Sequence, residues 1–490
     1  MAPAKKFVML VMVFTLVNAP INAYSTEKDF VHCESTVKKW AASSLDAEVK
    51  EDRHTLRDLL FFLHIPRTGG RTYFHCFLKK MYTSYLECPR SYDKLRFDPS
   101  QPNCRLMVTH DDYSMVSKLP QERTSVVTIL RNPVDRVFST YEFSVEVAAR
   151  FLVHPNLTSA TQMTKRIRSK NKEVSTLDIW PWKYLVPWMR EDLFSRRDAR
   201  KRGDFNSIRE SNDSYDMEDV VMPLREFIND PVARDIIHNG ATLQVAGLTN
   251  NSYFSESHEV RHCVRKYQAL GEYVLEVAKK RLDNMLYVGL TEDHRESATM
   301  FANVVGLQVI SQLQALSSSM EQADKNTSDM NSSFQNYQPD SNYLLATDIS
   351  VTENVGTSNE NMAVGKLMEA YEKCISTLRK AQSHRRTFSL KNIYPANFTK
   401  EARLQVPEVV LQQIMSLNNL DVELYNYAQG IFAQQRKRLM SKLVEAERQL
   451  ITLSSSYAIH FWKVLSLVLL LLVLLVLLVN ARRRTLKVKV

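Results

Sequence analysis

One short segment constrains the fold more than any other, because it joins a buried strand, a glycine loop and a helix. Residues 59–65 form an apolar run that is too short for a stable helix and predicts a buried parallel strand. Residues 66–71 follow and include Gly69 and Gly70, and apolar residues then recur at helical spacing over residues 72–81. This order predicts an α/β unit in which the backbone turns sharply at the carboxyl end of a strand.

The rest of the chain supplies further strands of the same kind. Short apolar runs at 105–109, 125–130 and 284–288 predict three more strands. A helix is predicted after the second of these runs, where Pro133 suits a first turn, and another is predicted after Glu292. Strands that alternate with helices indicate an α/β fold with a central parallel sheet flanked by helices.

Two segments at the ends of the chain are predicted to lie outside this globular part. Residues 1–23 combine two lysines with a short apolar core, which is typical of a cleaved signal peptide. Residues 458–479 are long enough to cross a bilayer as one transmembrane helix, and a basic tail follows at 480–490. Because positive charge stays on the cytoplasmic side, the chain between these segments is predicted to face the lumen.

The formal net charge of +10 does not indicate a nucleic-acid partner. The signal segment supplies two positive charges and the basic tail supplies five, so the remainder of the chain carries only +3. Most of the excess therefore reflects membrane topology, and we expect no nucleic acid among the partners.

Cysteines and glycosylation sequons agree with a secretory compartment. An even number of cysteines suggests disulfides, although the spacing does not give the pairing. The six cysteines are Cys33, Cys76, Cys88, Cys104, Cys263 and Cys374. The sequons begin at Asn156, Asn212, Asn250, Asn326, Asn331 and Asn397, all in the part predicted to be lumenal.

The loop between the first strand and its helix is a candidate phosphate-binding site. Gly69 and Gly70 allow the backbone to approach a ligand closely, and the helix that follows directs free N–H groups toward the same point. Arg67, Arg71 and Thr72 add charged and hydroxyl donors. The alternative is an ordinary glycine turn between a strand and a helix.

A nucleotide-hydrolysing P-loop fits this sequence less well. The first glycine of that motif would fall at Ile65, and the strand that ends at Leu130 is followed by Arg131, where a metal-binding carboxylate would be needed. An arginine in that place favours a second anion over Mg²⁺. We therefore predict a nucleotide that carries both a 5′ and a 3′ phosphate, and no metal.

Two motifs resemble those of the Golgi sulfotransferases. Leu63-His-Ile-Pro-Arg-Thr-Gly-Gly-Arg-Thr72 is similar to their 5′-phosphosulfate loop, and Ile129-Leu-Arg-Asn-Pro-Val-Asp-Arg-Val-Phe-Ser139 is similar to their 3′-phosphate motif. Among these enzymes the chain most resembles the heparan sulfate 6-O-sulfotransferases and the plant tyrosylprotein sulfotransferases related to them. The resemblance implies a P-loop-like sulfotransferase fold and 3′-phosphoadenosine 5′-phosphosulfate (PAPS) as co-substrate.

The same resemblance implies roles for individual residues. The residues expected to bind PAPS are Arg67, Thr68, Gly69, Gly70, Arg71, Thr72, Arg131 and Ser139. Val108-Thr-His-Asp-Asp-Tyr113 resembles the segment that carries the catalytic histidine of these enzymes, so His110 is the predicted base, with His64 as its rival. Arg67 stands where these enzymes often have lysine and is expected to stabilise charge on the transferring group.

The predicted segments follow from these assignments. They are a signal peptide (1–23), a lumenal lead-in (24–58), the sulfotransferase domain (59–310), a polar and disordered insertion (311–361), a helical C-terminal part with a stalk (362–447), the transmembrane helix (458–479) and a cytoplasmic tail (480–490).

The position of the membrane anchor favours a tyrosine acceptor. A cleavable signal with a C-terminal anchor resembles the plant tyrosylprotein sulfotransferases, whereas the related glycan enzymes are anchored at the N-terminus. We therefore predict a single-pass type I protein of the Golgi membrane that sulfates secreted peptide precursors with acidic residues near the tyrosine. Basic residues at 165–172 are candidates to contact those acidic residues, whereas tryptophans at 180, 182 and 188 fit a core better. A glycan 6-O-sulfotransferase and a receptor or adhesion protein without catalysis are the alternatives.

Overall fold

The computed structural model describes residues 27–48, 54–83, 85–88, 104–156, 158–159, 193–199, 201–202, 214–216, 222–325, 356–391 and 398–487. Its centre is a sheet of four parallel strands with helices packed around it. The strands are β1 (Leu59–Leu63), β2 (Leu106–Thr109), β3 (Thr124–Leu130) and β4 (Tyr287–Leu290). The predicted parallel α/β fold is therefore confirmed.

The spatial order of the strands is β2-β1-β3-β4, so the chain moves outward to one side after β1 and then returns to the other side. Leu63 pairs with Thr109 of β2 and with Thr128 of β3, so β1 lies between them. β3 is buried along its whole length and pairs with β4 from Val127 to Leu130. Every strand is buried on both faces, which explains the continuous apolar runs in the sequence.

Helices make up most of the remaining described chain. They are 27–46, Gly70–Tyr73, Lys79–Met81, Pro133–Phe151, 193–199, Leu224–Phe227, Arg234–Ile237, Gly240–Val245, Ser257–Lys266, Gly271–Asn284, His294–Phe301, Leu307–Lys325, Gly356–Leu390, Lys400–Leu404, Glu408–Leu417 and Asn419–Lys487. Single π-helical turns lie at Phe74–Leu78 and Ala302–Gly306, and 3₁₀ turns at Tyr113–Lys118, Gln121–Arg123 and Gln268–Leu270.

Two predicted elements differ from the structure in their limits. The last strand was expected at 284–288 but spans Tyr287–Leu290, because the helix Gly271–Asn284 continues to its start. The insertion expected to be disordered, 311–361, is helical at both ends, through Lys325 and from Gly356. Its middle part lies outside the described residues, as do the predicted signal peptide, the basic stretch 165–172 and the three tryptophans.

The expected lead-in forms part of the folded body. Residues 27–46 are one helix, and its residues Cys33, Val37 and Trp40 are buried. A disulfide joins Cys33 to Cys263. Polar composition concealed this helix, because only a narrow apolar stripe faces the body.

Two more disulfides join distant parts of the chain, Cys76 to Cys374 and Cys88 to Cys104. All six cysteines are thus paired, as expected for an oxidising compartment. Among the sequons, the Asn250 side chain is bonded to both Asp235 and Arg261, whereas Asn156 is exposed. The amide of Asn250 is therefore engaged in the fold.

The chain divides into two compact units. The first comprises Met1–Ser350 and Val364–Ala433 and contains the sheet. The second comprises Val351–Ala363 and Gln434–Val490 and consists, where described, of helix. In the second unit Phe461–Val479 is apolar enough to cross a membrane and has no buried residue.

Candidate active site

The sheet topology fixes the place of the site. The order of the strands reverses between β1 and β3, so the loops that leave their carboxyl ends diverge and open a crevice. The loop after β1 begins at His64, and Arg131 follows β3 directly. Two segments that the sequence separates by more than sixty residues therefore meet at the crevice where parallel α/β sheets bind ligands.

The glycine loop turns tightly at Gly69, which has φ +84° and caps the following helix from the left-handed region. Gly70 is buried against the His64 imidazole, and a Cβ at this position would overlap that ring. Thr68 Oγ1 donates to the carbonyl oxygen of Ile65 at 2.9 Å. The glycines are required here because an L side chain would be strained at one position and would collide at the other.

Thr291, which follows β4, anchors this loop to the sheet. Its Oγ1 lies 2.7 Å from the carbonyl oxygen of Thr68 and 2.9 Å from that of Leu130. The loop is therefore held at a fixed distance from the end of β3. No local sequence pattern pointed to Thr291.

Arg67 spans the crevice. It has φ 68°, which a residue with a Cβ adopts only where its surroundings enforce it. Its Nε donates to Ser139 Oγ at 3.0 Å, and its guanidinium lies 4.6 Å from the centre of the Phe143 ring. Burial, followed by the charge of Arg131, lowers the pKa of Arg67 to about 10, so the group remains a cation at neutral pH.

Arg131 faces the same space from the end of β3. Its Nη1 donates to the carbonyl oxygen of Arg67 at 3.2 Å. Its Nε is buried and has no hydrogen-bond partner among the described residues, while Glu292 Oε1 stands 4.0 Å away. Burial lowers the pKa of Arg131, and a buried guanidinium nitrogen without a hydrogen-bond partner is a place where an anion would be stabilised.

The helix Pro133–Phe151 carries Ser139 into the crevice. Asn132 caps this helix by accepting from the amides of Val134 and Asp135, and Pro133 occupies the first turn, as the sequence predicted. Ser139 lies two turns later and is buried. The cap therefore fixes the register that sets Ser139 Oγ against Arg67.

His110 follows β2 and lies beside the glycine loop. Its Nδ1 lies 2.9 Å from the carbonyl oxygen of His64, and because a carbonyl only accepts, Nδ1 carries the proton and Nε2 is the unprotonated nitrogen of the neutral ring. The His110 and His64 rings are 4.1 Å apart. Burial lowers the pKa of His110 to about 4 and the pKa of His64 well below its ordinary value.

Gln244 holds both histidine segments in place. Its Nε2 lies 3.3 Å, 2.9 Å and 3.1 Å from the carbonyl oxygens of His64, His110 and Asp111. Its side chain is fully buried on the short helix Gly240–Val245. No sequence pattern identified Gln244, since one glutamine in a helical stretch carries no distinguishing signal.

The residues after His110 are fixed by buried carboxylates. Asp111 bonds to Asn251 and accepts from Thr109 Oγ1 at 2.8 Å. Asp112 accepts from the amide and hydroxyl of Thr249 at 2.9 Å and 2.6 Å. His110 is therefore set on a rigid turn.

The remaining predicted residues lie where the loop enters its helix. Arg71 is exposed at the rim, and burial of part of its side chain, together with the charges of Arg385 and Arg150, lowers its pKa. The Thr72 amide donates to the Gly69 carbonyl at 2.9 Å. The structure thus gathers the eight predicted binding residues and His110 around one crevice, with Arg71 at its edge.

The base of the site is cationic. Arg67 and Arg131 are neighbours, and burial is the largest cause of the lowered pKa of each guanidinium. Among the described residues, no group of His, Cys, Asp and Glu side chains is arranged to hold a metal ion. The arrangement can bind a doubly anionic ligand and present a neutral imidazole to it.

Comparison with known proteins agrees with this geometry. Residues 42–189, which include β1, β2, β3 and the helix that carries Ser139, match the sulfotransferase domain family. A protein-tyrosine sulfotransferase of Arabidopsis thaliana is 56% identical over 498 residues, covering 97% of this chain and 97% of that protein.

Proposed function

The chain belongs to the protein-tyrosine sulfotransferase family, and on that premise we propose that it transfers the sulfuryl group of PAPS to tyrosine hydroxyls of secreted peptides and proteins in the Golgi lumen. The observation that carries the proposal is the contact between the two anion-binding segments. Arg67 of the glycine loop bonds to Ser139, and Arg131 bonds to the backbone of Arg67. One nucleotide with two phosphates can therefore contact both segments at once.

Two features fit PAPS as the donor. The Gly69 turn opens a helix N-terminus, and Arg131 Nε has no hydrogen-bond partner in the described chain. Backbone amides at such a helix start bind phosphate, and a buried guanidinium binds it more strongly. The residues present thus suit a group with phosphates at both ends.

We assign the donor-binding roles by position. Residues 67–72 hold the 5′ phosphosulfate, and Arg131 and Ser139 hold the 3′ phosphate. PAPS, when bound, supplies an activated sulfuryl group and a phosphate that leaves as a stable anion. Arg67, which touches Ser139 and remains charged at neutral pH, stabilises negative charge between the two phosphate positions.

His110 is the proposed general base. The hydrogen bond to the His64 carbonyl keeps the His110 proton on Nδ1, so Nε2 is unprotonated and can accept the phenolic proton as the tyrosine oxygen bonds to sulfur. In the same step the bond from sulfur to the bridging phosphate oxygen breaks, and its electron pair stays with adenosine 3′,5′-bisphosphate. Arg67 donates hydrogen bonds to the charge that develops, but as a cation it keeps its protons.

The proposed location rests on the ends of the chain and on its cysteines. Phe461–Val479 is a candidate membrane span, and the sequence continues with Arg482, Arg483 and Arg484. Three disulfides suit an oxidising compartment. A single-pass type I protein of the Golgi membrane with a lumenal catalytic unit accounts for both observations.

The test offers the purified full-length protein radiolabelled PAPS with one of two acceptors, a tyrosine peptide with acidic neighbours or heparan-type chains. Label on the peptide, and its loss when the tyrosine is replaced by phenylalanine, is the expected result. Label on the glycan alone would instead identify a glycan 6-O-sulfotransferase, and label on neither would support the reading of a receptor without catalysis.

A further inference from the structure

Beside the glycine loop lies a cavity whose lining residues are not among those of the site described above. It has a volume of about 430 Å³ and is lined by Arg150, His384, Arg385, Phe388 and Ser389. These residues come from the ends of two helices, Pro133–Phe151 and Gly356–Leu390. We refer to it as the 384–389 groove.

One helix face connects the groove to the active site. Ser139, Phe143, Glu146 and Arg150 recur at intervals of three and four residues, so they lie along one side of the helix. Ser139 and Phe143 contact Arg67, whereas Arg150 lines the groove. The groove therefore begins on the side of the crevice where Phe143 and Arg67 meet.

The charge of the groove is positive. Arg385 and Arg150 lie close enough to Arg71 that burial, followed by their charges, lowers the pKa of Arg71. Glu146 forms an ion pair with Arg150 and its charge also reaches Arg71, so one carboxylate stands against these three arginines. Phe388 is 64% exposed at the same place and offers an apolar surface between the cations.

We propose that the 384–389 groove binds carboxylate side chains that flank the acceptor tyrosine, with Arg385 and Arg150 as the specificity-determining residues. The inference rests on the proposed function, since it assigns a place to the acidic part of that acceptor. Guanidinium groups bind carboxylates in a forked geometry, and an exposed aromatic ring suits the apolar part of an extended peptide. Arg385 and Arg150 act on acceptor affinity and have no part in the chemical step.

The test compares two tyrosine peptides that differ only in their neighbours, aspartate in one and asparagine in the other. With the wild-type protein, KM for the aspartate peptide should be lower. In Arg385→Glu that preference should fall by about twofold to thirtyfold, because an exposed charge pair contributes about 0.2–1 kcal/mol and reversal replaces that attraction by a similar repulsion. High salt should reduce the wild-type preference.

Lys380→Glu is the matched control, because Lys380 is exposed on the same helix and does not line the groove. It should keep the wild-type preference, and kcat for the asparagine peptide should be equal in all three proteins. An Arg385→Glu protein that keeps the aspartate preference, or that loses activity equally on both peptides, overturns the groove assignment while the proposed function stands. A wild-type protein inactive on both peptides would overturn the proposed function itself.

Discussion

Arg67 Nε donates a hydrogen bond of 3.0 Å to Ser139 Oγ, although 72 positions separate the two residues in the sequence. The bond joins the glycine loop after β1 to the helix after β3. It places a cation and a hydroxyl side by side at the point where the strand order reverses. Donor binding should therefore depend on both segments together.

Arg131→Ala should weaken binding of adenosine 3′,5′-bisphosphate about tenfold to 150-fold, because a hydrogen bond to a charged group contributes about 1.5–3 kcal/mol. Isothermal titration calorimetry measures the change. Lys380→Glu, far along another helix, provides a control that should bind normally. Unchanged affinity in Arg131→Ala would remove Arg131 from the phosphate site.

His110→Ala should lower kcat by about 10²- to 10⁴-fold, the usual contribution of a general base, and should leave bisphosphate affinity nearly unchanged. The two measurements together separate loss of the base from loss of the fold. Intact turnover in this variant would discard the assignment, and His64 would then be the candidate to test.

The pH profile should show the depressed pKa of His110. Burial disfavours the charged imidazolium, so the ring stays neutral, and able to accept a proton, down to about pH 4. The value of kcat/KM for the sulfuryl donor, which reflects the enzyme before the donor binds, should therefore fall on the acid side only well below pH 6. An acid limb centred near the ordinary histidine pKa of about 6.5 would contradict the burial of this ring.

Gln244→Leu should lower kcat by about tenfold to 100-fold with little change in bisphosphate affinity, because the carbonyls of His64 and His110 lose their shared donor and the imidazole shifts. Gln244→Glu gives the sharper measurement. Its carboxylate faces three carbonyl oxygens, and it can donate a hydrogen bond only when protonated. Activity of Gln244→Glu should rise as the pH falls; a parallel loss at every pH would indicate a purely structural role.

Asp421→Asn should destabilise the first unit by about 3–5 kcal/mol, because it leaves the buried cation of Arg136 without its partner. Asp421 accepts from Arg136 Nη2 at 2.8 Å and from the amide and hydroxyl of Thr242, each at 2.7 Å. Urea unfolding measures the loss. Glu423→Gln, an exposed neighbour on the same helix, should change stability by less than about 0.5 kcal/mol.

Residues of the crevice could be predicted from the sequence only where they belong to a short local pattern. The apolar run before His64, the glycine pair and Pro133 at the start of a helix each constrain a few consecutive residues. Such short-range constraints give the strands and the start of the helices, and they predict an anionic ligand for the loop. The same patterns missed Gln244 and the 27–46 helix, because a buried amide or a narrow apolar stripe has no periodic signal of its own.

The sequence by itself determined that strands of a parallel sheet alternate with helices, and that a glycine loop and an arginine follow two of those strands. Only the tertiary structure decided that β1 and β3 are neighbours, that Cys33 pairs with Cys263, and that Gln244 reaches the carbonyls of both histidines. The physical reason is that periodicity shows which face of an element is buried. The partner buried against it is set by packing of the whole chain.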